Sequence, residues 1–295
     1  MDSSEIHPPI PESELIINSD GSVYHLRLRP EQLASTVILV GDPSRVEQVS
    51  ALFDRIDERV QHREFITHTG EFKGRRISCV ATGIGTDNID ITINELDALF
   101  NIDLKTREDK VALQKLKLIR IGTCGILQPE YPVHSYILSD AAYGLDNIAH
   151  FYPIKFSNNE QHLESSLSKH LELPEPIKPY CVSASGYLVE ALRSDKTVEG
   201  ITVTSSGFYG PQGRSLRLGL QAKEINERLT AFRGPANERV MNFEMESSAL
   251  FALAKGLGHD AVTICLGVAN RPNMEFSKGY HKEMLELIEY VLDRV

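Results

Sequence analysis

A single α/β domain, layered around a largely internal sheet, is the fold class this sequence predicts. Three observations carry the prediction. Short β-rich runs alternate with segments of helical spacing and are joined by short connections. Three of those runs end in glycine-containing turns. No repeat and no linker divides the 295 residues, a length that one α/β domain can reach.

The elements follow in order. The run 37–40 is a strand that ends in Gly41-Asp42-Pro43, with a helix over 44–53. The run 76–82 (RISCVAT) is a strand that ends in Gly83-Ile84-Gly85, with a helix over 88–100. The run 118–121 is a strand that ends in Gly122-Thr123-Cys124-Gly125. Residues 136–141, 201–205 and 261–268 read as further strands, and 160–171, 187–193, 217–231, 245–257 and 278–294 as helices. Residues 101–117 (NIDLKTREDKVALQKLK) read as a charged, solvated insertion. Residues 1–20 open on the acidic, proline-rich MDSSEIHPPIPESE and read as an arm outside a domain spanning 21–295.

Composition excludes several functions. The apolar fraction of 41% and charged fraction of 24% suit a packed domain rather than disorder. Lys plus Arg is 31 and Asp plus Glu is 41, a net charge of −10. That balance argues against a general nucleic-acid or membrane-surface binder, so an anionic ligand must be held by local arginines. No run approaches the ~18 apolar residues of a membrane helix. Cys79, Cys124, Cys181 and Cys265 are far apart and read as reduced core thiols of a cytoplasmic protein. The ten histidines show no H-E-x-x-H or other tight ligand spacing, so no metal site is expected.

Ligands of open α/β sheets gather at the carboxyl ends of strands, where such turns expose backbone N–H groups. Gly41, Gly83, Gly85, Gly122 and Gly125 therefore read as walls of one site. The run from Gly83 starts like a dinucleotide fingerprint, but Asn88 stands where the third glycine belongs, and no nicotinamide cofactor is expected. Arg45, Arg63 and Arg120 stand beside the turns, and guanidinium forks match phosphate oxygens. Arg120 interrupts an apolar strand, so it either pairs with a buried carboxylate or reaches a ligand. Asn242-Phe243-Glu244-Met245-Glu246-Ser247 reads as a helix opening, where glutamates suit the helix dipole or accept from the hydroxyls of a ribose. In the loop Phe208-Tyr209-Gly210-Pro211-Gln212-Gly213-Arg214, an amide and a guanidinium stand beside an aromatic ring. They can read the edge of a pyrimidine whose face lies on Phe208.

Seven of these segments, VYHLRL, GDPSRV, HREF, TGIG, IRIGTCG, FYGPQGR and NFEMES, occur in the order found in the nucleoside phosphorylase family. From about Val23 to its end the chain resembles that family, and most of all its uridine phosphorylases. The resemblance implies a three-layer α/β fold with a central mixed sheet flanked by helices. It implies reversible phosphorolysis of uridine to uracil and ribose 1-phosphate, with inorganic phosphate as co-substrate and no metal or organic cofactor. It implies that Gly41, Arg45, Arg120 and Thr123 bind phosphate, with Arg63 supplied by a neighbouring subunit of a homodimer or hexamer. Met245 and Glu246, with Glu244 and Gly125 beside them, fall at the ribose, and His25 reaches the 5′-hydroxyl from the neighbour. Gln212 and Arg214 read uracil against Phe208 and, with Arg120 and Glu246, form the catalytic set. Asn270 stands where purine-specific relatives carry an aspartate, which favours a pyrimidine. Asn88 stands where some bacterial relatives place a serine beside a monovalent cation, which leaves that ion open. The alternatives are a purine phosphorylase, a nucleosidase that uses water, or a non-catalytic nucleoside-binding protein.

Overall fold

The computed structural model describes residues 8–295; residues 1–7 of the expected arm lie outside them. In chain order the elements are β1 (Thr36–Val40), α1 (Ser44–Ser50), β2 (Arg55–His62), β3 (Phe65–Phe72), β4 (Arg75–Ala81), α2 (Thr86–Asn101), β5 (Ile102–Asp103) and β6 (Glu108–Asp109). They continue through β7 (Lys117–Ile126), β8 (Tyr136–Gly144), α3 (Asn158–Leu171), β9 (Tyr180–Ser183), α4 (Gly186–Leu192), β10 (Thr197–Thr204) and α5 (Ile225–Ala231). The chain ends in β11 (Val240–Glu244), α6 (Ser247–Leu257), β12 (Asp260–Asn270), β13 (Glu275–Phe276) and α7 (His281–Leu292). Eleven of the strands form one mixed sheet, in the order β13-β12-β8-β10-β11-β7-β1-β4-β3-β2, with β9 on the side of β8. The expected mixed sheet flanked by helices is present.

The sheet also closes on itself, which the sequence did not foretell. β7 pairs with β12 in parallel, β12 with β8 antiparallel, and β8 with β10 in parallel. β10 then pairs with β11 in parallel, and β11 returns to β7 antiparallel. Cys124, Ile126, Ile137, Met241 and Cys265 pack together from the strands of this ring. β1 and β4 continue the sheet from β7 in parallel register, Val37 beside Leu118 and Ser78. β1 reads TVILV and is apolar at every position after the first because α1 covers one face and α2 the other.

Several strands were not anticipated. β2 (RIDERVQH) alternates exposed and half-buried positions and carries too many charges to signal a strand; it sits at the edge. β3 pairs with it across a tight hairpin at Arg63, which has φ 53°. β9 has only four residues. β11 replaces the expected helix opening at 242, because this segment is the buried strand that closes the ring, and α6 starts only at Ser247. The helix expected over 217–231 shrinks to α5, since Leu216 and Leu218 are exposed and no neighbour buries an apolar face there. The charged insertion forms the β5–β6 hairpin and is mostly exposed. It also anchors the arm: the Ile10 N–H donates to the Arg107 carbonyl at 2.7 Å, and Arg107 Nη1 donates to the Leu15 carbonyl at 2.5 Å.

Candidate active site

The carboxyl ends of β1, β4, β7, β11 and β12 open into a cleft of about 660 Å³. Gly41, Gly83, Thr123, Gly125 and Met245 line it, together with both glutamates and two of the three candidate phosphate arginines. Two glycines are required by this geometry. Gly85 has φ 103°, a left-handed conformation that lets the β4–α2 turn point its N–H inward. At Gly122 a Cβ would stand 2.2 Å from Arg120 Nη1 and 2.8 Å from Cys265 Sγ, so only glycine lets the Arg120 side chain fold across the strand.

Arg120 does pair with buried carboxylates, as one of its two sequence readings required. Its Nη2 donates to Glu246 Oε2, and its Nη1 lies 3.3 Å from Glu244 Oε2. Burial works against the Arg120 charge, but Glu246 and then Glu244 outweigh it and raise its pKa. The Glu246 pKa is raised as well. Burial is the largest cause and the like charge of Glu244 adds to it, against the opposing pull of Arg120. Two carboxylates thus share one guanidinium with almost no solvent. Arg45, also buried, spends one nitrogen on the Ile121 carbonyl at 3.2 Å and has no carboxylate partner among the described residues. Its pKa is lowered, first by burial and then by the charge of Arg120. Arg45 is thus the buried cation of this corner whose charge is left uncompensated, and an anion placed beside it would relieve that cost.

The two glutamates differ in how they are held. Glu246 Oε1 accepts from the Gly85 N–H at 2.8 Å. Glu244 accepts from the Thr204 hydroxyl at 2.5 Å, the Glu246 N–H at 2.9 Å and the Ser247 N–H at 3.0 Å. Glu244 therefore caps the start of α6 with a carboxylate, at the positive end of the helix dipole. The sequence reading put it among the ribose ligands. It does line the cleft, but its oxygens are already engaged within the protein.

The other end of the cleft is the loop between β10 and α5. Gln212 is buried, Phe208 about half exposed. Arg214 lies over the Phe208 ring, 3.7 Å from guanidinium carbon to centroid. Its Nη1 donates to Gln212 Oε1 at 2.5 Å and to the Phe208 carbonyl at 2.6 Å. The Arg214 pKa is pushed down to about 10, first by burial and then by neighbouring Arg271. Arg271 went unnoticed in the sequence. It donates to the Gln212 carbonyl at 3.0 Å, and its aliphatic stem lies over Gly125. Phe276 and Tyr280 also line the cleft and carried no sequence signal, since an isolated aromatic near a helix start is ordinary.

Two expected ligands lie elsewhere. His25 and Arg63 do not line the cleft of their own chain. They flank Tyr24: the His25 ring stands edge-on to it at 4.8 Å, and the Arg63 guanidinium lies 5.8 Å from its centroid. His25 Nδ1 is 2.7 Å from Glu95. Asn270 is buried and serves the backbone. Its amide donates to the carbonyls of Gln128 and Tyr131, and its Oδ1 accepts from the Asn273 N–H. Among the described residues, no group of three or more His, Cys, Asp or Glu side chains could hold a metal ion, and no helix is long and apolar enough to cross a membrane.

Residues 35–292 match the family model described as the phosphorylase superfamily. The chain belongs to that superfamily. Within it, this phosphorylase is 32% identical over 266 residues to a uridine phosphorylase of Thermococcus kodakarensis, covering 90% of this chain and 83% of the relative. It is 29% identical over 284 residues to the uridine phosphorylase of Escherichia coli, covering 92% and 96%. A nucleoside phosphorylase of Trypanosoma brucei, whose crystal structure is described as showing uridine phosphorylase activity, superposes with a TM-score of 0.87 at 28% identity. That match covers 95% of this chain and all of the other.

Proposed function

We propose that this phosphorylase catalyses the reversible phosphorolysis of uridine to uracil and ribose 1-phosphate. One observation carries the reading: a single cleft has a buried arginine–carboxylate corner at one end and an amide–guanidinium–aromatic loop at the other. Phosphate lies against Arg45, Arg120, Thr123 and Gly41, below C1′ of the nucleoside. Glu246 and Met245 orient the ribose, so that attack begins from a fixed geometry. As the C1′–N1 bond stretches, the sugar becomes oxocarbenium-like and the phosphate stabilises it. Negative charge spreads onto the uracil oxygens, where Gln212 and Arg214 donate. Aimed donors of this kind are each worth about 2.7–4 kcal/mol. A nucleosidase has no use for a corner built to hold an anion, which favours phosphate over water as the nucleophile.

The functional unit is at least a dimer, with His25 and Arg63 of the partner subunit completing each site, and residues 8–20, the described part of the expected arm, lie outside the domain core. A two-fold interface makes that exchange mutual. Its test is complementation. Arg63→Ala and Arg120→Ala proteins are each nearly inactive, and co-refolding restores about a quarter of wild-type sites if pairing is random in a dimer. No recovery from stable, re-associated mutants overturns the shared site. The phosphorolysis itself is tested by incubating uridine, thymidine, deoxyuridine and inosine with and without phosphate and measuring free base and ribose 1-phosphate. Uridine cleavage that is equally fast without phosphate leaves a nucleosidase, and a preference for inosine leaves a purine phosphorylase.

A further inference from the structure

Arg120 is held by two carboxylates where one would neutralise it, and the two are anchored differently. Glu244 is fixed by the Thr204 hydroxyl at 2.5 Å and by the N–H groups of Glu246 and Ser247. Thr204 is fixed in turn, because its oxygen accepts from the Ser248 N–H at 2.9 Å. Glu244 is therefore tied to the end of β10 and the first turn of α6 and cannot follow a ligand. Glu246 has one backbone donor, the Gly85 N–H in a left-handed turn, and otherwise holds Arg120 itself.

We propose that Glu244 is a positioning residue, which holds Arg120 in place so that Glu246 is released to the nucleoside. This rests on the reading above that Glu246 takes the ribose. In the free protein both Glu246 oxygens are engaged, one by Gly85 and one by Arg120. A ribose diol adds two donors to oxygens already engaged, and this competition weakens the hold of Glu246 on Arg120. If Glu246 were the sole partner, that step would leave a buried guanidinium held by phosphate alone, and the protein would resist it. The second carboxylate, 3.3 Å from Nη1, removes the resistance. The claim separates the two substrates. Phosphate binding to the free enzyme needs Arg120 held by either carboxylate. Nucleoside binding needs Glu244 in particular, because Glu246 is wanted elsewhere.

The test compares wild type with Glu244→Gln, Thr204→Val, Glu246→Gln and the double variant Glu244→Gln/Glu246→Gln. In Glu244→Gln the amide oxygen can still accept from the α6 N–H groups, but the charge that faces Arg120 is lost. Phosphate affinity is measured by calorimetry without nucleoside, and uridine KM and kcat at saturating phosphate. Glu244→Gln is expected to raise uridine KM at least about tenfold while phosphate Kd stays within about threefold. Thr204→Val, whose side chain is fully buried, moves uridine KM in the same direction by less. Over a Glu246→Gln background, adding Glu244→Gln changes uridine KM by less than about threefold, since the released group is gone. Independent effects that multiply in the double variant show direct ribose contact by Glu244 and overturn the proposal. Parallel weakening of phosphate and uridine shows a merely structural role, and an unchanged uridine KM shows none. If Glu244→Gln does not fold, Thr204→Val decides alone: uridine KM must rise with phosphate Kd held. Loss of phosphate dependence in the wild type would instead remove the functional reading, and the calorimetric arm keeps the two failures apart.

Discussion

The arginine–carboxylate end of the cleft stands on strand ends of the closed ring, whereas the Phe208–Arg214 end stands on a connection between β10 and α5. At the first end Arg120, Glu244 and Glu246 are each almost entirely buried, and their bonds reach across β7, β10, β11, α6 and the β4–α2 turn. At the second, Arg214, Gln212 and Phe208 bond chiefly to one another within seven residues. The contrast has a physical cause. Charges taken out of water must be held rigidly or they cost more than they contribute, and a rigid frame requires long-range strand pairing. Stacking on an aromatic and bonding to an amide tolerate solvent, so a loop suffices. Under the proposed function, the fold fixes where the anion lies, and a local segment decides which ring lies above it.

Substitutions sharpen that contrast from the largest effect downwards. Arg120→Ala is expected to strike both activity and stability. It removes at least ~2 kcal/mol of transition-state stabilisation, about 30-fold in kcat/KM for phosphate. It also leaves Glu244 and Glu246 without their cation, which costs roughly 3–5 kcal/mol of folding stability in urea titrations. A mutant of wild-type stability and phosphate kinetics breaks the claim that this end is one rigid charge cluster.

Gln212→Ala is expected to cripple uridine turnover, by about 2.7–4 kcal/mol, while calorimetry still finds phosphate bound. The urea midpoint stays near that of wild type, because Gln212 bonds to its own loop and to Arg271. Loss of phosphate binding there shows that the two ends are not separable. Phe208→Ala takes away the face on which Arg214 rests and is expected to raise uridine KM a few-fold, in line with about 0.5–1 kcal/mol for an exposed cation–π contact. No change in KM leaves the stack without a part in binding.

The smallest effect on activity is expected from Asp140, on β8 outside both ends. Burial, aided by Glu199, raises its pKa to about 6. The folded value lies above the unfolded ~3.9, so the folded state binds the extra proton. Stability therefore rises as pH falls from above 6 towards 4. Asp140→Asn is expected to flatten that trend and raise the urea midpoint at pH 8 more than at pH 5, with kcat/KM unchanged. An equal shift at both pH values shows that the carboxylate was not the cause.

Much of the site was legible in the sequence, for different reasons at its two ends. The 208–214 loop could be read directly, because its partners are neighbours in the chain. Arg120 announced itself as a charge inside an apolar strand. Its alternatives, a buried carboxylate or a ligand, could not be separated, since Glu244 and Glu246 lie more than a hundred residues away. Thr204 gave no signal, because a buried threonine in a strand is ordinary until a carboxylate is found against it.

By itself the sequence determined the alternation of strands and helices, the glycine turns at three strand ends and many, though not all, of the residues that border the cleft. These are local properties, written in periodicity and in backbone conformations that only glycine reaches. Only the tertiary structure decided that β7 is shared between an open wing and a closed ring, and that 240–244 is a strand rather than a helix start. It alone separated the two glutamates, making Glu244 a cap and Glu246 the carboxylate that holds Arg120 and the Gly85 turn. Pairing partners, and the sharing of one cation by two buried anions, arise between residues distant in the chain. No local pattern encodes the free energy of such contacts.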